Sequence, residues 1–100
     1  MAKEYSPDLQ KLFLEMMMQD AQNYVRVQNI FNPENFDRSL KDTATFIAEH
    51  STKHATLPTY EMVKASVGVE LKPIPDMLDG HNDWFMAEFE GFTKRQELER

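Results

Sequence analysis

The chain has 100 residues, 41% of them hydrophobic, enough for one small core and too few for two. It contains no cysteine, which excludes disulfides, thiol chemistry and iron–sulfur ligation. Its net charge of -6 has the wrong sign for a surface that neutralises phosphates, so direct nucleic-acid binding is not expected.

The opening "MAKEYSPD" lacks the apolar middle of a secretory signal, and no apolar run nears the length of about 20 residues that spans a membrane. A cytoplasmic protein without membrane contact is the expectation. Ser6, Pro7 and Asp8 then form a helix start, since serine caps, proline fits the first turn and an acid complements the dipole. In "LQKLFLEMMMQ", Leu9, Leu12, Phe13, Met16 and Met17 share one face, with Leu14 and Met18 at its flanks.

Asp20 can cap a second short helix through "AQNYVRVQNI", and "FNPENF" reads as a turn anchored by Phe31 and Phe36 on either side of Pro33. From Asp37 a third helix runs through "RSLKDTATFIAEHSTKHA", with Leu40, Ala44, Ile47 and Ser51 on one stripe and Phe46 beside it. Pro58 biases Leu57 away from helix. Thr59 can then cap a fourth helix, "YEMVKASV", closed by Gly68.

"VELKPIPDMLDGH" holds two prolines and a glycine and reads as a connector, with at most a helical turn around Met77 and Leu78. The terminal helix follows, with Asn82 or Asp83 as its cap and Phe85, Phe89, Phe92 and Gln96 along one face. Trp84 lies off that line, with Glu88, Gly91, Arg95 and Leu98. Two faces on one helix predict two neighbours, the core of the domain itself and an element supplied from elsewhere. No stretch alternates well enough to be a strand, so the fold class is all-α, a small orthogonal helical bundle. It divides into a helical globular part at 1–81 and the terminal helix at 82–100, within a single domain. Phe36, Phe46, Ile47, Leu57, Phe85 and Phe89 are the expected core, and Trp84, Gly91, Phe92, Arg95 and Leu98 the expected protein interface.

Chemistry-bearing patterns are sparse. His50 and His54 are four apart in "EHSTKH", a spacing that puts two imidazoles on one helix face and could bind zinc with a third ligand such as His81. A metalloprotease would need a glutamate directly after the first histidine, and Ser51 stands there. Histidines also sit favourably at a helix C-terminus because of its dipole. The three glycines, Gly68, Gly80 and Gly91, lie in unrelated contexts and form no phosphate loop. No catalytic, cofactor-binding or metal-binding residue is therefore assigned.

In their order along the chain, these motifs resemble the N-terminal domain of DnaB-like replicative DNA helicases, and among them the helicases of T-even-type phages. The resemblance covers most of the chain: an apolar first helix ("LQKLFLEMMM"), a proline turn with an aromatic ("NPENF"), a longer helix, and a Leu-Pro step into a capped helix ("LPTYEMV"). Lys41, Ile47, His50 and Pro58 are similar to the phage-type pattern, and Trp84, Glu90 and Arg95 to its tryptophan-led closing helix. The resemblance implies a compact helical domain whose last helix is the first arm of a helical hairpin. It further implies a collar on a hexamer, pairing through the hairpins and a part in primase binding, in a bacterial host cell. No Walker loop, catalytic glutamate or arginine finger occurs, so the ATPase domain of such a helicase would lie beyond Arg100. In isolation the domain is expected to form a weak dimer. A free-standing helical adaptor or helicase loader is the alternative, and a small zinc-dependent hydrolase using His50 and His54 a more remote one.

Overall fold

A computed structural model describes residues 5–74 and 79–98, and these form five α-helices and a short 3₁₀ helix, with no strand among the described residues. The helices are α1 (Pro7–Gln19), α2 (Ala21–Val27), α3 (Arg38–His54), α4 (Tyr60–Val67) and α5 (Asp79–Leu98), with the 3₁₀ helix at Pro33–Asn35 between α2 and α3. The fold is an all-α bundle, as the periodicities require.

Each boundary has a local chemical cause. Ser6 accepts a hydrogen bond from the Leu9 amide and Pro7 enters the first turn of α1. Asp20 ends α1 and caps α2 through the Gln22 amide, so a single residue makes the corner. Helix α2 stops at Val27, earlier than the run through Ile30 expected from the sequence; residues 28–30 turn instead, with the Ile30 amide donating to the Val27 carbonyl. Asn32 caps the 3₁₀ turn, Asp37 caps α3 and Thr59 caps α4. Ala55, at φ 57°, closes α3 in the left-handed region, and Gly68, at φ 75°, closes α4.

Helix α1 is the axis of the bundle. It packs on α2, α3 and α5, α3 carries α4 and the 3₁₀ turn, and α5 lies across α1, α2 and the 3₁₀ turn. Contact on several sides explains why α1 buries more than one stripe. Phe13, Leu14 and Met17 are fully buried, although Leu14 was expected at the flank. The core continues through Val27, Phe36, Leu40, Ala44, Ile47 and Val63 to the three phenylalanines of α5. Phe36, Ile47, Phe85 and Phe89 thus lie where the sequence predicts.

Two expected core residues are corrected. Phe46 and Leu57 pack against the core but are only partly buried. Phe46 sits on the flank of the α3 stripe formed by Leu40, Thr43, Ala44 and Ile47, and Leu57 lies in the turn beyond the end of α3, where one side faces solvent.

Polar side chains fasten the segments that helix packing leaves open. Gln10 is buried and bridges two segments: its Nε2 donates to the Tyr5 carbonyl at 2.7 Å and its Oε1 accepts from the Asp37 amide at 2.6 Å. Glu15 and Gln19 of α1 accept from the amides of Lys72 and Ile74, holding the extended chain after α4 against α1 with Leu71 turned inward. An extended segment has no helical partners for its amides, and here α1 supplies two. The turn expected around Met77 and Leu78 falls outside the described residues.

Candidate functional site

Helix α5 is already running at Asp79, ahead of the cap expected at Asn82 or Asp83. Asn82 has a different task. Its Oδ1 accepts from Asn23 Nδ2 at 3.0 Å and its Nδ2 donates to Asp20 Oδ2 at 3.4 Å, so the side chain joins α5 to the corner between α1 and α2. Asn23, almost wholly buried, also donates to the Met16 carbonyl at 3.1 Å. At the other end of α5, Gln96 Nε2 donates to the Asn35 carbonyl at 2.6 Å. Fastened at both ends, the helix has a fixed rotation about its axis.

That rotation turns Phe85, Phe89 and Phe92 inward. Phe89 meets Phe13 edge to face with centroids 5.5 Å apart, and Phe92 lies 5.2 Å from Phe36 and 5.4 Å from Tyr5. Aromatic rings favour such tilted and edge-on contacts over face-to-face stacking. Phe92 is therefore a core residue, and its assignment to the interface is corrected: it follows Phe85 by seven positions and Phe89 by three, the spacing of one buried stripe.

The other expected interface residues occupy a separate face. Trp84 is 42% exposed and Leu98 86% exposed, both large for their degree of exposure. Glu88, Gly91 and Arg95 lie between them, each partly covered. Gly91 already has a neighbour inside the chain, because a Cβ placed on it would fall 2.7 Å from the Tyr5 hydroxyl oxygen. Gly91, expected to face another subunit, is thus covered by Tyr5 of its own chain.

Trp84 forms one wall of an open, largely apolar cleft of about 190 Å³, with Leu12 and Met16 of α1, His81 of α5 and Ile74 of the extended segment. The sequence signals Trp84 by its place off the phenylalanine line. It gives no signal for the α1 walls, Leu12 and Met16, which only the fold brings beside it.

His50 and His54 stand in contact near the end of α3, with ring centroids 4.6 Å apart. No group of three or more His, Cys, Asp or Glu side chains able to hold a metal ion occurs among the described residues, so the donor set of a three-ligand zinc hydrolase is not assembled there. No helix among the described residues is long and apolar enough to cross a membrane. No protein-family model, curated protein or solved structure matches the chain.

Proposed function

We propose that the chain is a non-catalytic assembly and partner-binding domain of a replicative DNA helicase of the DnaB-like kind, acting by presenting helix faces to sister subunits and to primase. The order of sequence motifs, from the apolar first helix to the tryptophan-led last one, supports this reading. So does the acidic balance, which suits a protein partner better than a phosphate backbone.

The observation that carries the proposal is the two-sided character of α5. One side contributes Phe85, Phe89 and Phe92 to the core, which fixes the helix as a rigid element. The other leaves Trp84 beside an apolar cleft and Leu98 exposed. Tryptophan anchors seated by clefts are the residues from which protein interfaces draw most of their energy. A rigid helix also docks with little ordering cost. In the parent helicase this face meets a neighbouring arm or subunit and six copies form the collar; alone, the domain pairs weakly with itself.

The test is a binding titration of the labelled domain with the primase encoded alongside it. Saturable binding that Trp84→Ala weakens by tenfold or more, about 1.4 kcal/mol, is expected. Absence of binding to primase, together with absence of self-association, would remove the proposal.

A further inference from the structure

We infer that His50 and His54 form a two-imidazole site for a divalent transition ion of tetragonal preference, copper(II) foremost. The inference is independent of the interaction surface on α5 and rests on α3 alone.

The two rings are neighbours. The two ring centroids are 4.6 Å apart and the ring planes are inclined at 49°. With metal–nitrogen bonds of about 2.0–2.1 Å and each ring centre about 1.2 Å beyond its nitrogen, two imidazoles bound at a right angle have centroids about 4.5 Å apart. At a tetrahedral angle the same construction gives about 5.2 Å. The observed spacing accommodates the right-angle arrangement, in which two adjacent positions of a square-planar or octahedral ion are filled once a nitrogen of each ring turns toward the ion. Copper(II) and nickel(II) favour that geometry, and imidazole binds copper(II) most tightly of the divalent first-row ions.

The frame around the pair holds it in place. Four residues of separation put both rings on one helical face. Ala55 closes the helix immediately after His54, its amide donating to the Ser51 carbonyl at 2.9 Å, so the last turn is formed. Phe46, one turn earlier on the same face, lies 5.8 Å from the His50 ring and restricts its rotation. His50 is half-buried against this neighbour while His54 is exposed, leaving the open side accessible to an ion. The net charge of -6 favours cation approach.

Two protein donors leave the remaining coordination positions to water or a small exchangeable ligand. The site is therefore one for reversible capture, unlike the closed four-ligand sites of structural zinc. An ion held between residues four apart also clips the final turn of α3, so occupancy stabilises the fold by linkage.

The experiment is a titration of the purified protein with copper(II) chloride at neutral pH in a weakly coordinating buffer, followed by calorimetry and electron paramagnetic resonance. The expected result is one ion per chain with micromolar affinity, a spectrum showing two bound imidazole nitrogens, and a raised melting temperature. His54→Ala alters an exposed side chain and leaves the circular dichroism spectrum unchanged, yet should weaken binding by about tenfold or more and remove one nitrogen from the spectrum. Failure of the parent protein to bind at micromolar copper would overturn the inference. Equal affinity in parent and His54→Ala would do the same, since the ion would then sit elsewhere.

Discussion

The hydroxyl of Tyr5 lies over Gly91, so that a methyl group on Gly91 would fall 2.7 Å from its oxygen but 3.9 Å from the ring carbon that carries it. The first separation is too short for a real contact and the second is ordinary van der Waals distance. Glycine inside a helix costs about 1 kcal/mol relative to alanine, so Gly91→Ala should stabilise α5 wherever the methyl fits. In the parent it fits only if the hydroxyl shifts. In a double-mutant cycle followed by urea unfolding, Gly91→Ala should gain up to about 1 kcal/mol in a Tyr5→Phe background and clearly less in the parent. Equal gains in both backgrounds would show that the hydroxyl moves aside freely.

Phe89 is 1% exposed, meets Phe13, Phe85 and Phe92 within 5.7 Å and stacks on Phe31 at 6.2 Å. Phe89→Ala should lower unfolding stability by about 3–5 kcal/mol, the cost of a buried phenylalanine and the cavity it leaves. Against a total of about 5–15 kcal/mol for a domain of this size, that can unfold the chain at ambient temperature. An unchanged urea midpoint would contradict the aromatic core.

Much of this arrangement can be read directly from the sequence. Ser6, Asp20 and Thr59 all act as the caps their positions suggest, because a cap depends only on residues within one turn. The phenylalanine stripe of α5 is likewise a local periodicity. What local pattern cannot show is a role set by a distant partner. Asn82 looks like a cap and is instead bonded to Asn23 and Asp20, and Gly91 looks like a contact for another subunit and is covered by Tyr5. Phe46 and Leu57 are apolar enough for the core, but the ends of the elements packed against them decide how much of each is covered. The cleft beside Trp84 needs three segments brought together, and only the fold does that.

Thr43 is fully buried in α3, and its hydroxyl has no hydrogen-bond partner among the described residues. A buried polar atom without a partner loses its bonds to water and gains nothing in return. Thr43→Val keeps the shape and the branching at Cβ while replacing the hydroxyl with a methyl group. It should therefore stabilise the protein by about 1 kcal/mol in thermal or urea melts. A loss of stability of that size would mean that the hydroxyl is bonded in solution.

The cap of α3 gives the fold an acid-sensitive contact. Asp37 accepts from the Ser39 hydroxyl at 2.7 Å and from the Ser39 amide at 3.0 Å. These bonds, the hydroxyl's first, hold its carboxyl below the ordinary value of 3.8. Because the folded value is depressed, the contribution is complete above that ordinary value and is lost as pH falls through the lower, folded one. Asp37→Asn keeps a capping side chain that does not titrate. Below about pH 4 the melting temperature of the parent should fall more steeply than that of Asp37→Asn. Parallel curves would show that Asp37 contributes nothing to the acid response.

The central claim is that the outer face of α5 is a protein-binding surface, and Trp84 reports on it directly because it is the sole tryptophan in the chain. At 42% exposure its emission is that of a partly hydrated indole, and burial against a partner shifts it to shorter wavelength. Sedimentation equilibrium over a wide concentration range, with the emission recorded on the same samples, is the most direct measurement. The account predicts a weak monomer–dimer equilibrium with a matching blue shift, and a weaker equilibrium in Leu98→Ser, which changes an exposed residue and spares the core. A strict monomer at every concentration, with the tryptophan emission unchanged, would contradict it.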